Sequence, residues 1–401
     1  MVSRVHATYH LDTAFEPERA ADIIAGEQSS GTFVPVPGED EALKARAAAT
    51  WEITPLETSA PPDHKRYLLK LSWPLENFGA SLPNLMATVA GNLFELKPAA
   101  GLRLMDIELP DEFAAAYPGP AFGIAGTRAL SGVASGPLIG TIIKPSVGLS
   151  ADGTAELVDQ LCAAGVDFIK DDELQADGPA CPFDERVRKV MHVINRHADR
   201  QGKKVMYAFN LTGELDEMKR RHDLVLSMGG TLMMLSLNSV GMTGFNAFRK
   251  HAQLPIHAHR NGWGYLQAGW SYLAWQKLWR LAGADQMHVN GLANKFRESD
   301  SSVIASARAC LTPMFPHKPC TVMPVFSSGQ TVRQAPGTWT ALQSTDLIFL
   351  AGGGLFAHPG GIAAGVAALR QSWEAAMQGV PLEIAARTHR ELREALEKFS
   401  G

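Results

Sequence analysis

The stretch GVDFIKDDE (165–173) runs from an apolar segment straight into a lysine and three carboxylates. Side chains alternate faces along a strand. Phe168, Lys170 and Asp172 therefore share one face, Glu173 can turn toward it where the strand ends, and Asp171 points to the other. One reading is an ion pair. The other is a lysine that loses its proton and adds CO2 as a carbamate, giving with Asp172 and Glu173 three anionic oxygen ligands. Oxygen donors of that kind suit Mg²⁺.

Working outward, the same strand-like pattern recurs. The apolar runs are PLIGTII (137–143), VDFIK (166–170), KVMYAF (204–209), TLMMLSL (231–237), PIHAH (255–259), DQMHV (285–289), TVMPVF (321–326) and DLIFL (346–350). Helical patterns lie between them at 154–164, 183–200, 214–228, 270–282 and 301–311. Eight βα units in about 265 residues predict a (β/α)8 TIM barrel, which typically needs about 250 residues. The rival, a doubly wound open sheet, would carry a glycine fingerprint after its first strand, and none is present. Residues 1–130 mix strand-like pieces (5–11, 66–71) with helical ones (16–26, 82–91), predicting an N-terminal α+β domain. The Gly-, Pro- and Ala-rich segment 118–136 marks the boundary, leaving 131–401 to the barrel.

Reactive residues collect where the runs end, which is where barrel active sites form. Lys144 follows the first run. Lys170, Asp172 and Glu173 end the second, and Asn210 and Asn238 follow the third and fourth. His257, His259 and Arg260 end the fifth, His288 the sixth, Ser327 and Ser328 the seventh, and Gly352-Gly353-Gly354 the eighth. Lys144, beside a divalent cation, could transfer protons, or it could be a structural lysine under a loop. The glycines before a helix expected from Gly360 could cradle a phosphate or simply form a tight loop. Arg260 and His288 could hold a second anionic group, phosphate or carboxylate, with Ser327 beside them. Buried structural histidines are the competing view of His288 and His257.

The composition sets limits. Hydrophobic residues make up 46% and charged residues 19% of 401, and the net charge is −4. That balance argues against a nucleic-acid or membrane-surface partner. The four cysteines show no CxxC spacing and read as free core thiols in a reducing cytoplasm. The opening residues MVSRVHATYHLDTAF have no apolar core of a signal peptide, and no run approaches 18 apolar residues.

GTIIKPSVGLS (140–150) and GVDFIKDDE together resemble the large chain of ribulose bisphosphate carboxylase/oxygenase, RuBisCO. HAHRN (257–261), HVNGLANK (288–295), PVFSSG (324–329), FLAGGGLFAHPGG (349–361), ATW (49–51) and GNLFELK (91–97) extend the likeness over almost the whole chain, in order. The resemblance implies a ferredoxin-like N-terminal domain and a homodimer whose active sites combine two chains. By position, Lys170 is similar to the carbamylated lysine, and Asp172 and Glu173 to the Mg²⁺ ligands. Lys144 resembles the first catalytic lysine, His259 a catalytic histidine, and Lys295 the lysine of a mobile loop. Arg260 and His288 resemble one phosphate grip; Thr50, Trp51, Gly329, Gly352 and Gly353 resemble the other. Asn92 resembles an asparagine reaching the metal site from the partner chain.

Three departures bear on activity. KPS stands where the carboxylases have KPK, placing Ser146 at the second lysine. Ala45 replaces a glutamate, and Asn294 replaces the loop glycine before Lys295. The resemblance is therefore to a type IV, non-carboxylating RuBisCO-like protein. It implies an enolate-forming enzyme acting on a phosphorylated keto-sugar or keto-sugar acid. Lys295 is retained in a loop where methionine-salvage enolases differ. This favours decarboxylase- or transcarboxylase-type cleavage of a 3-oxo-isoapionate phosphate-like substrate in carbohydrate breakdown. The alternative is proton transfer on a methylthio-pentulose phosphate.

Overall fold

Alternation governs the first unit. Over β1 (Arg4–Thr13), Val5, Ala7, Tyr9 and Leu11 are buried. In this computed structural model, which describes residues 3–31, 34 and 36–400, the chain divides into two units. Met1 and Val2 of the opening stretch, and Gly401, lie outside the described residues. β1 pairs antiparallel with β3 (Lys65–Pro74) and β4 (Gly101–Glu108), and β2 (Thr50–Pro55) pairs with β3, giving the order β2-β3-β1-β4. Helix Pro17–Glu27 buries Ala20, Ala21 and Ile24, and helix Leu82–Ala90 buries Leu82, Leu85 and Val89. Tyr9 Oη donates to the Val89 carbonyl at 2.7 Å. The β-α-β-β-α-β order is ferredoxin-like.

The sequence pattern finds β1 and β3 but not their outer neighbours. β2 is an edge strand with no buried residue. β4 shifts register opposite Thr8 and Tyr9, so its buried residues, Leu102, Leu104 and Ile107, lose the period of two.

Residues 262–282 group with this first unit. Ser271 N donates to Leu104 O (2.7 Å), Leu104 N to Gly269 O (2.8 Å), and Lys277 pairs with Asp106 (2.5 Å). Helix Tyr272–Ala282, expected as a barrel helix, thus packs on β4. Trp263, Trp275 and Trp279 stack along it at 5.3–5.4 Å between ring centroids.

The second unit is a closed ring of eight parallel strands: β5 (Leu138–Ile142), β6 (Phe168–Lys170), β7 (Met206–Asn210), β8 (Leu232–Ser236), β9 (Ile256–His259), β10 (Gln286–His288), β11 (Met323–Phe326) and β12 (Ile348–Leu350). Each lies within an apolar run read from the sequence or extends one residue past it. Strands covered on both faces read as continuous hydrophobic stretches, which explains their legibility. Leu138, Phe168, Met206, Ala208, Leu232, Met234, Met323, Val325, Ile348 and Leu350 form the buried core. Gly140 belongs there because a Cβ would stand 2.6 Å from Phe168 O and 2.8 Å from Leu350 Cδ2.

Asn238 follows β8 as expected, in the first turn of helix Leu237–Arg249, and donates to Asn261 O at 2.8 Å. The glycines after β12 precede the expected helix, found at Gly361–Met377, with a one-turn helix, Gly353–Phe356, between them. Among the described residues no helix is long and apolar enough to cross a membrane.

Candidate active site

The alternation of GVDFIKDDE holds in three dimensions. Asp171 faces away from the strand ends and is fully buried; it accepts from Tyr207 Oη (2.6 Å), the Asn210 amide (2.9 Å) and Arg186 (3.2 Å). At the other end of β6, buried Asp167 pairs with Lys203 and Arg370 and accepts from the Ile139 amide. These two carboxylates brace the strand.

On the inner face Lys170 is 1% exposed. Its Nζ donates to the Asp171 carbonyl at 2.7 Å and lies 3.4 Å from Glu173 Oε2. Burial pulls its pKa below the ordinary lysine value, against the opposing pull of Glu173 and Asp172. A lysine so placed loses its proton more readily than one in water, and a neutral amine is what CO2 requires. Glu173 titrates below the usual range: burial is the largest single influence and pushes it up, but the charge of Lys170, hydrogen bonds from the backbone and from Lys170, and the charge of Lys144 together outweigh it.

Two further groups close on the carboxylates. Lys144 Nζ donates to Asp172 Oδ2 (2.7 Å) and to Ser146 Oγ (2.8 Å). Ser146, which marks a missing lysine in the sequence comparison, is thus an acceptor that orients the remaining one. His259 Nε2 lies 3.5 Å from Glu173 Oε2, while its Nδ1 accepts from the Asn261 amide. That amide fixes the ring proton on Nε2. Burial, then the nearby Lys170 charge, keeps the ring neutral, with a pKa well below 6.5.

A second row of polar side chains crosses the barrel interior. Thr127 Oγ1 donates to Gly123 O (2.8 Å), so it accepts from Gln286 Nε2 (3.2 Å), and the amide is oriented. Gln286 Oε1 then accepts from His257 Nδ1 (2.8 Å), His257 Nε2 from His288 Nε2 (2.7 Å), and His288 Nδ1 from Ser327 Oγ (3.1 Å). Burial holds both rings well below pKa 6.5. His288, read as part of an anion grip, has both ring nitrogens engaged by these neighbours.

The remaining predicted residues are dispersed. A Cβ on Gly352 would lie 3.8 Å from Lys144 Cε, which puts the glycine turn beside that lysine. Gly353 is open, whereas Gly354 is required by packing, since a Cβ would meet Gln330 O at 2.2 Å. Lys295 is exposed, its ammonium 5.3 Å from the Phe296 ring centroid, and Gly329 borders its backbone. Thr50, Trp51 and Asn92 belong to the first unit, where Trp51 Nε1 donates to Asp22 at 2.7 Å. Sequence reasoning missed Gln286 and Glu298. Gln286 carries a signal, an amide inside a strand; Glu298, in the charged run FRESD, carries none.

The donor set Lys170, Asp172 and Glu173 fits a hard divalent cation once the lysine is a carbamate: all donors are then anionic oxygens, gathered at one strand end. Another group, His222, Asp223 and His251, does not fit one. The Gln253 amide donates to His222 Nε2 (2.9 Å), so the proton of the neutral ring sits on Nδ1, facing Asp223 at 2.9 Å, and that nitrogen has no lone pair for a metal.

A closed parallel barrel with charged groups at the carboxyl ends of its strands, joined to an antiparallel α+β unit, defines a class of barrel protein. The family model of the ribulose bisphosphate carboxylase large chain matches residues 123–399 with its catalytic domain and 3–113 with its N-terminal domain. The chain belongs to that family. A 3-oxo-isoapionate-4-phosphate transcarboxylase/hydrolase of Xanthobacter autotrophicus is 57% identical, with 99% of each chain covered. A 3-oxo-isoapionate-4-phosphate decarboxylase of Rhizobium etli is 45% identical over 98% of each. The crystal structure of a rubisco-like protein from Burkholderia fungorum has a TM-score of 0.92 at 45% identity, covering 99% of this chain and 100% of its own.

Proposed function

We propose that the protein is a Mg²⁺-dependent enzyme that breaks the bond to the carboxyl carbon of 3-oxo-isoapionate 4-phosphate or a similar 3-oxo sugar-acid phosphate. The observation that carries this is the convergence of Lys144 and His259 on the two carboxylates flanking buried Lys170. Lys170 as a carbamate, Asp172 and Glu173 would hold the ion. When bound, Mg²⁺ supplies positive charge that draws electrons toward a substrate keto oxygen.

The chain's own residues do the rest. The carboxylate carbon leaves as CO2, and its bonding electron pair passes into the enolate. Lys144 Nζ, partly exposed and held between Asp172 and Ser146, returns a proton to the α-carbon. His259 Nε2–H donates toward developing negative charge without carrying charge itself. The glycines at 352–353 receive the phosphate. The working form is a homodimer in which Thr50, Trp51 and Asn92 serve the partner's barrel. The names of the two relatives differ in the fate of the carboxyl group, but both chemistries must break its bond.

Substrate carrying ¹³C in the carboxyl group tests the reading. Label appearing as CO2 or bicarbonate supports decarboxylation, and label moved to another organic position supports transcarboxylation. Unchanged substrate, together with tautomerisation of a methylthio-pentulose phosphate, would sink it in favour of a proton-transfer enzyme.

A further inference from the structure

The loop after β10 carries a carboxylate aimed back into the barrel. Glu298 Oε2 lies 2.8 Å from Arg260 Nη2, and the two side chains are 7% and 8% exposed. Asn290 Nδ2 donates to the same oxygen at 2.7 Å, and Ser302 Oγ to Oε1 at 2.9 Å. Asn290 is in turn held by Ser328 Oγ at 3.0 Å. Both carboxylate oxygens therefore accept hydrogen bonds, and a buried arginine is matched by a buried carboxylate. This is a built anion position, filled by the chain itself. Its neighbour His288 is committed to His257 and Ser327.

We propose that Glu298 is a specificity-determining residue: it occupies the anion position at Arg260, so the barrel takes substrates with one phosphate and gains nothing from a second. A phosphate brought to Arg260 would meet a fixed like charge and would have to displace three contacts that already satisfy Glu298. Discrimination of this kind comes from the repelling group as much as from any attracting one. The inference rests on the reading of this barrel as a site for phosphorylated keto compounds.

The test is calorimetric titration of the full-length protein, with Mg²⁺ and bicarbonate, using ribulose 5-phosphate and ribulose 1,5-bisphosphate as probes. In the wild type the bisphosphate is expected to bind no more than threefold tighter than the monophosphate; a larger preference overturns the proposal. Glu298→Gln keeps the size of the side chain and removes its charge. It is expected to raise the preference for the bisphosphate at least fivefold; a smaller rise, or no measurable gain in bisphosphate binding, also overturns it. Should the variant fail to fold by circular dichroism, the wild-type comparison decides. Because the readout is binding, it stands apart from turnover. A protein inactive on 3-oxo-isoapionate 4-phosphate can still show the predicted preference, and an active one can lack it.

Discussion

Two corners of the barrel contain the same kinds of residue and treat them oppositely. Around β5 and β6, Lys144, Lys170, Asp172 and Glu173 are gathered with charge close to charge, and Lys144 remains partly open to solvent. Around β9, β10 and β11, His257, His288, Gln286 and Ser327 form a neutral row in which each donor has an acceptor, and Arg260 is matched by Glu298. The first corner stores electrostatic tension that a cation and a substrate can relieve. The second is closer to balance, its histidines, amide and hydroxyl paired with one another. Perturbed, incompletely balanced groups are where chemistry is to be sought.

Four changes would break or sharpen that contrast. The largest effect belongs to Lys170→Met, which removes the carbamate-forming amine while filling its volume. Turnover is expected to fall by about a thousandfold or more, an effect of the size seen for major electrostatic groups, with no loss of thermal stability. A melting curve beside the activity assay checks both halves. Asp171→Asn comes next. It leaves Arg186 buried beside a neutral partner, and chemical denaturation should show a loss of about 3–5 kcal/mol. Lys144→Met should lower kcat by about a hundredfold with little effect on stability, since proton transfer by one positioned group contributes about 10²–10⁴-fold; rapid-quench measurement of the product-forming step reads this directly.

The smallest effect is a pH dependence. His257 and His288 are neutral when folded, with pKa values below the 6.5 of a free histidine. The unfolded chain therefore binds more protons than the folded one as pH falls below 6.5. Stability should be full above that pH and decline below it, each ring contributing up to about 1.4 kcal/mol per pH unit. Denaturation midpoints at pH 7.5, 6.5 and 5.5 test the sign, and a rise in stability on acidification would contradict the neutral row.

The charged corner was legible in the sequence because each of its members sits directly at the end of a strand, where alternation assigns a face. The neutral corner was only half legible. Its histidines end strands, but Glu298 reaches Arg260 from a loop ten residues after His288, and no periodicity announces such a return. Ser146 illustrates the opposite error. Comparison registers it as a missing lysine, while the fold uses it as an acceptor for Lys144. The eight barrel strands were found because both of their faces are buried and their runs are mainly apolar; β2 was missed because neither of its faces is buried.

The grouping of residues 262–282 with the first unit has a consequence for biosynthesis. The edge of β4 receives its partner, the Gly269–Ser271 backbone and the helix behind it, from a segment that lies between two barrel strands in the chain. Domains emerging from the ribosome commonly complete in order from the N-terminus. Here the sheet β2-β3-β1-β4 is translated first, but the segment that covers the edge of β4 follows only after five strands of the barrel have appeared.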